Sequence, residues 1–272
     1  MDSEHHNLSE SNLAVLLVVT IYSLYGLVDD LIDLNRIFKL ILPITFAFPL
    51  ISIISPTVII LPFLGAYNLD IEIIFEITRA DIFKLLIIPV YVMVVANLVN
   101  MHSGYNGLQS GLSLILLASI ITKSYLDESI NSIIFVSAFL GSLLAFWTFN
   151  FFPAKVFEGN VGSQLFGSLI GCTIVLQEYW LFGFFILLPH TFNFFLWLVW
   201  LYLMKKNPKE YLEPDGKHKK FGKIKADGSI EVPNVLTLKW IPNHFVRIGE
   251  HHSVVIMYGI TLFFCITGLF FL

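Results

Sequence analysis

Four groups of polar residues interrupt an otherwise apolar chain, and their side-chain types suit phosphate chemistry. The first is Asp29-Asp30 with Asp33, followed nine residues after Asp30 by Lys39. Three carboxylates this close repel one another unless a cation or a lysine offsets them, and carboxylates at a membrane boundary are functional candidates by default. The second group runs from Asn97 and Asn100 to Gly104, Asn106 and Gly107. Asn97 and Asn100 stand one helical turn apart and share a face. The glycines after them permit a tight turn and a close approach of backbone N–H groups to a ligand. The third group, 150–163, holds Phe157, on which a base can stack. It also holds Asn160, between Gly159 and Gly162 at a helix start where free N–H groups favour anions. The fourth is the basic run Lys217-His218-Lys219-Lys220. Taken singly, each group has a plainer explanation: a solvated helix end, an asparagine cap, an interfacial aromatic, a topogenic lysine patch.

The elements that must position these groups are membrane helices. The chain is 56% hydrophobic and 13% charged, with a mean hydropathy of +0.78, whereas ordinary soluble domains carry roughly 25% charged residues. Its apolar residues fall into blocks near the ~20 needed to cross a bilayer. Eight spans are expected, over 13–28, 40–62, 82–100, 107–123, 131–150, 161–177, 181–204 and 253–272. Backbone groups in lipid must satisfy one another, and the alternation of a barrel strand is absent, so the fold class is all-α, a polytopic transmembrane helix bundle. One integral-membrane domain over 1–272 accounts for the chain, with an insert at 205–250. Within the insert, 223–232 alternates on either side of Asp227-Gly228, the signature of a β-hairpin. The outer connection 62–81 reads as an amphipathic segment lying on the surface.

Basic residues orient the bundle. Arg36, Lys39, Lys155 and the ten between Lys205 and Arg247 fall on one side, which makes thirteen; Arg79, Lys84 and Lys123 fall on the other. By the positive-inside rule the thirteen are cytoplasmic, and all four polar groups lie on their side. Cys172 and Cys265 sit inside apolar spans and offer neither a disulfide framework nor a metal-ligand spacing. The polar, acidic start of the chain lacks the basic region of a cleavable signal peptide. A transporter would gather its ionisable groups near the midplane; here they sit at one surface, save His190 and Asn193, which read as interhelical hydrogen-bonders.

Together the four groups resemble the polyprenyl-phosphate N-acetylhexosamine-1-phosphate transferases (glycosyltransferase family 4). Within that family they are most similar to the dolichyl-phosphate N-acetylglucosamine-phosphotransferase branch of archaea and eukaryotes. The resemblance is carried by GLVDDLIDLNRIFKLILP (26–43), NLVNMHSGYNGLQSG (97–111), NFFPAKVFEGNVGS (150–163), LPHTFNFF (188–195) and GKHKKFGKIKADG (216–228), in family order and at family spacing. It implies transfer of N-acetylglucosamine 1-phosphate from UDP-N-acetylglucosamine to a dolichyl or other polyprenyl phosphate, with Mg²⁺ (or Mn²⁺) and release of UMP. That reaction is the first step of lipid-linked oligosaccharide assembly for N-glycosylation. It further implies an integral membrane protein of a prokaryotic plasma membrane, archaeal by its branch, with a cytoplasmic active site. Membrane lipid is then a partner, nucleic acid is not, and a homodimer is compatible.

By the same resemblance Asp29 and Asp30, with Asp33 beside them, position or activate the lipid phosphate. Lys39 and Asn100 contact the diphosphate, while Asn97 shares the face of Asn100. Gly104, Asn106 and Phe157 hold uracil; Lys217, His218 and Lys219 hold the diphosphate and the acetamido sugar; Asn100 and Asn160 lie at the metal. Several positions depart from the family pattern. The family has ten spans, and the first two are lacking here. Ser103 stands where bacterial relatives carry aspartate, and Lys217 and Lys219 replace arginines, which removes bidentate phosphate contacts. Asn160 stands where the family has a metal-binding aspartate. An ion pair at ~4 Å is worth ~4 kcal/mol at an effective dielectric of ~20, so a neutral amide holds Mg²⁺ more weakly unless Glu158 compensates. Two alternatives stay open: the same chemistry with another UDP-N-acetylhexosamine for a surface polymer, or a non-catalytic paralogue that binds polyprenyl phosphate.

Overall fold

The computed structural model describes residues 2–54, 56, 58–61, 65–74, 77–129, 133–213, 219 and 221–272. Helix α1 (Asp2–Ile32) leads through Asn35, which caps α2 (Arg36–Ile41) by accepting the N–H groups of Ile37 and Phe38, each at 3.1 Å. The chain continues as a 3-10 segment, Leu42–Leu50. Two antiparallel hairpins follow, β1 (Val58–Leu61) with β2 (Gly65–Asn68) and β3 (Glu72–Ile74) with β4 (Ile77–Thr78). Next come α3 (Arg79–Met101), α4 (Leu108–Leu126), α5 (Ile133–Asn150), α6 (Gly159–Leu176), α7 (Trp180–Ile186) and α8 (Leu188–Lys206). The insert holds α9 (Pro208–Tyr211), the hairpin β5 (Lys223–Ile224) with β6 (Ile230–Glu231), and α10 (Trp240–Phe245); α11 (Glu250–Phe271) closes the bundle.

The protein is an all-α integral membrane bundle. Among the described residues α1, α3, α6 and α11 are long and apolar enough to cross a bilayer, and α7 with α8, bent by 59° at the break between them, count as a fifth when taken as one span. This is fewer than the eight expected. The regions 107–123 and 131–150 do fold as helices. Yet α4 is rich in polar residues, with Gln109, Ser110, Ser113 and Ser119 buried inside the bundle. Ser119 turns back onto its own helix, donating to the Leu116 carbonyl at 2.8 Å, and Ser110 donates to Asn150 at 2.6 Å, which makes their burial tolerable. The expected span 40–62 is not one α-helix. Pro43 opens the 3-10 segment and Pro49 lies within it; each lacks the N–H that an α-helix interior requires. The outer connection likewise forms strands of two hairpins instead of an amphipathic surface segment, and Leu69 from it and Ile59 just before it are buried in the main core.

Small residues bring the spans close together at the site. Gly167 and Gly171 of α6 face Ala96 and Val92 of α3, where an added Cβ would stand 2.6 and 3.2 Å from those Cα atoms. Gly26 of α1 lies against the Asn160 carbonyl at the start of α6, with no room for a Cβ. Close helix approach of this kind depends on small side chains. It joins the C-terminal ends of α1 and α3 to the N-terminal end of α6 on one face. The insert packs there too, through a cluster of Trp200, Met204 and Trp240. Its β5–β6 hairpin turns at Asp227-Gly228, as the alternating pattern predicts, with Gly228 at φ 78° and Asp227 accepting the Ser229 N–H at 3.0 Å.

Candidate active site

The last turn of α1 presents Asp29 and Asp30 in opposite roles. Asp29 is buried and fully engaged. Its Oδ1 accepts the Leu34 N–H at 2.9 Å and pairs with the Lys39 ammonium at 2.8 Å, and its Oδ2 accepts the Asn160 side-chain amide at 3.0 Å. Asp30 instead faces a cavity. Both of its oxygens accept the Asn160 N–H, at 2.9 and 3.1 Å, and Oδ2 also takes that of Val161 at 3.3 Å. The first free amides of α6 therefore bind a carboxylate of the protein itself, the anion preference of a helix N-terminus satisfied internally. Asp33, at φ 44°, is exposed and pairs with Lys39 at 3.2 Å. Lys39 thus balances two carboxylates.

The cavity beside Asp30 has a volume of about 290 Å³. Asn100, Gly104, Asn106, Phe157 and Asn160, all expected from the sequence, line it together with Asp30. Asn100 is oriented by the Ser163 hydroxyl, which donates to its Oδ1 at 2.9 Å. Phe157 is 76% exposed, its ring open to stacking. Asp29 and Asp33, placed above, are not in its wall, and three further expected residues stand elsewhere. Asn97 donates to the Met93 carbonyl of its own helix at 2.9 Å and is not in the cavity wall. Lys39 is likewise outside the wall, held by Asp29 and Asp33. Lys219 donates to the Glu210 carbonyl at 2.6 Å and lines a separate groove beside α9. Lys217 and His218 lie outside the described residues.

Other wall residues include Glu158 and Asn150. Glu158 Oε2 is buried with no hydrogen-bond partner among the described residues. Burial pushes its carboxyl up to about 7, with the Asn150 side chain opposing. Asn150 is itself fixed, accepting from Ser110 Oγ at 2.6 Å and donating to the Val156 carbonyl at 2.9 Å. The donor set of Asp30, Asn100, Asn160 and Glu158 is all oxygen, the set preferred by hard divalent cations. The unpartnered Glu158 oxygen is one that such a cation would satisfy.

A support that sequence reasoning did not find holds the glycine-containing loop between α3 and α4. The Lys239 ammonium donates to the Ser103 carbonyl, the Tyr105 hydroxyl to Asn243 Oδ1 at 3.0 Å, the Asn106 N–H to Glu250 Oε1, and the Tyr258 hydroxyl to the Gly107 carbonyl. All four partners lie between Lys239 and Tyr258, more than a hundred residues downstream. The available signal was slight: Lys239 is the single charge in the otherwise uncharged stretch 232–243.

Comparison with known proteins gives the family. Residues 12–178 match the family described as glycosyl transferase family 4. A protein of Sulfolobus acidocaldarius is 34% identical over 95% of this chain and 73% of its own length, and one of Saccharolobus solfataricus is 28% identical over 93% and 72%. Both bear the provisional name UDP-N-acetylglucosamine–dolichyl-phosphate N-acetylglucosaminephosphotransferase. A phospho-N-acetylmuramoyl-pentapeptide-transferase of Clostridium beijerinckii is 35% identical over 35% of this chain and 29% of its own. The match to the family model covers every helix that meets at the Asp30 cavity, and the chain belongs to glycosyl transferase family 4.

Proposed function

We propose that the protein transfers N-acetylglucosamine 1-phosphate from UDP-N-acetylglucosamine to a dolichyl or other polyprenyl phosphate, releasing UMP. The observation that carries this reading is the convergence of Asp30, Asn100, Gly104, Asn106, Phe157 and Asn160 on one cavity at the ends of α1, α3 and α6. The names of the two archaeal relatives support the choice of sugar nucleotide and lipid. The bias of basic residues supports a cytoplasmic site, and the two archaeal relatives support an archaeal plasma membrane.

In this reaction an oxygen of the lipid phosphate bonds to the β-phosphorus of the nucleotide. The bond from that phosphorus to the bridging oxygen breaks, and the electron pair leaves with UMP. The lipid phosphate is largely dianionic at neutral pH, its second pKa being near ~6, so no strong base is needed. Positioning and charge neutralisation dominate instead. Phe157 offers its exposed ring to the uracil, beside the backbone of Gly104 and the amide of Asn106. Asp30, fixed by the amides of Asn160 and Val161, orients the acceptor end, and Asn100 is held ready by Ser163. Mg²⁺ would be held by Asp30, Asn160, Asn100 and Glu158, where it supplies charge neutralisation at the diphosphate. Asp29 and Lys39 act behind Asp30, as a neutralised pair that fixes the end of α1 to α6.

Membranes carrying the protein, supplied with UDP-N-acetylglucosamine labelled in the sugar and with dolichyl phosphate, should yield labelled lipid in a divalent-cation-dependent manner. The Asp30→Asn variant should yield none. Label released as free sugar would overturn the reading. A cysteine placed at the exposed Ala226 should react with an impermeant reagent only from the cytoplasmic side.

A further inference from the structure

Lys239, just before α10, is a half-buried cation beside the site. Its ammonium lies beneath Gly104 at the junction of two cavities. One is the Asp30 cavity; the other, of about 230 Å³, is lined by Lys239 with Trp197, Trp200, Trp240, Asn193 and Thr237. Ser103 and Gly104 form the wall common to both, and Gly104 at φ 98° leaves no room for a Cβ above the ammonium. Lys239 donates to the Ser103 carbonyl and stands 5.1 and 5.9 Å from the ring centres of Tyr105 and Trp240. Among the described residues no carboxylate pairs with it. Glu250 from α11 is the acid that acts on it at longer range, His102 at the end of α3 also feels its charge, and Glu250 is already engaged by the Asn106 N–H.

An ammonium largely withdrawn from water without a counter-charge is costly. One carbonyl and two ring faces satisfy its geometry without neutralising it. An anion at the cavity junction would do so, and it would meet Lys239 beside the loop that faces the nucleotide in the reading above. We infer that Lys239 is a phosphate-binding residue, its ammonium receiving a phosphoryl oxygen of a substrate at the junction of the two cavities. The inference rests on that reading for the identity of the substrate. The phosphoryl oxygen belongs either to the nucleotide diphosphate or to the lipid phosphate, two sources with one chemistry. Burial lowers the Lys239 pKa to about 8, so the free site is mostly charged at pH 7, and an adjacent phosphate would hold the proton.

The test uses the full chain in detergent micelles with the divalent cation chelated, and measures binding of UDP, uridine and dolichyl phosphate. Lys239→Met should weaken UDP by at least about tenfold and uridine by less than about twofold, while Lys239→Arg should bind both nearly as the wild type does. A loss confined to dolichyl phosphate would assign the oxygen to the lipid and also supports the inference. Equal losses for UDP and uridine would mean that Lys239 only holds the loop, and would overturn it. So would unchanged affinity for both phosphate ligands. A wild-type protein that binds neither phosphate ligand would remove the proposed function as well, whereas wild-type binding unaffected by Lys239→Met removes this inference alone. Should Lys239→Met not fold, the pH profile decides. UDP affinity relative to uridine should fall in the wild type from about pH 7 to about 9.5 and stay level in Lys239→Arg; parallel profiles would overturn the inference.

Discussion

Asp30 accepts the backbone N–H of Asn160 with both carboxylate oxygens while the Asn160 side chain donates to Asp29, so a single residue of α6 bridges the two acids of α1. Replacing Asn160 by Asp turns that donor into a charge facing Asp29 across 3.0 Å. Without divalent cation the variant should lose on the order of 1–3 kcal/mol of stability, from the broken hydrogen bond and like-charge repulsion. With Mg²⁺ the order should reverse, the cation stabilising Asn160→Asp more than the wild type and saturating it at a several-fold lower concentration. Thermal melting across a Mg²⁺ series, with Mn²⁺ binding followed by electron paramagnetic resonance, reads both effects. Equal cation affinity in the two proteins would remove position 160 from the metal site.

Lys39 compensates Asp29, whose side chain is only 3% exposed. Breaking a buried pair costs about 3–5 kcal/mol, and the partial exposure of Lys39 reduces this, so Lys39→Met should cost about 1–3 kcal/mol. Adding Asp29→Asn to that variant should restore part of the loss, because the uncompensated charge is then gone. A double variant less stable than Lys39→Met would mean that the pair is not what holds the end of α1. Denaturation in mild detergent provides the comparison.

Gly26 and Gly259 make a matched test of close packing. A Cβ at Gly26 runs into the Asn160 carbonyl, whereas one at Gly259 in α11 meets nothing within 4 Å. Gly26→Ala should cost about 1–3 kcal/mol by overpacking and displace Asn160 enough to lower turnover at least about tenfold. Gly259→Ala should leave turnover unchanged and the protein as stable or slightly more so, since alanine favours helix by roughly 1 kcal/mol over glycine. Melting temperatures and initial rates of the two variants settle the contrast.

Lys239 gives stability a distinctive pH dependence. Its pKa falls from 10.5 in the unfolded reference to about 8 in the folded protein. A base whose folded pKa is depressed destabilises the fold below the folded value, and the cost is relieved as pH rises towards the unfolded one. The window is therefore about pH 8 to 10.5, and the full effect is roughly 3 kcal/mol at 1.36 kcal/mol per pKa unit. The melting temperature of the wild type should rise relative to that of Lys239→Met across this window. A constant difference would show that burial does not depress the ammonium.

Much of the site could be read from residue types and spacing. Asp30, Asn100, Gly104, Asn106, Phe157 and Asn160 lie at helix ends or in short loops, where local sequence already fixes what a residue does. The residues that escaped reading act across long separations. Glu250 reaches Asn106 through packing of α11 against α4, and Lys239 reaches Ser103 where the insert packs on α8, which no periodicity encodes. The region 40–62 departs from the expected single helix for a different reason. Hydropathy averages over a window and is blind to Pro43 and Pro49, which turn an apolar run into a 3-10 segment, and the strands of the outer hairpins were too short to register. The Asp227-Gly228 hairpin was legible because its turn chemistry is local.

The most direct measurement follows the β-phosphorus. Membranes or purified protein receive UDP-N-acetylglucosamine carrying ³²P in the β-phosphate and ³H in the sugar, together with dolichyl phosphate and Mg²⁺. Transfer of a sugar phosphate places both labels in the lipid fraction in equal amounts and leaves unlabelled UMP in the water phase. Loss of Asp30 should abolish both labels together. Tritium in lipid with ³²P remaining in water as UDP would mean that the sugar moves without its phosphate, contradicting the reaction proposed for this site.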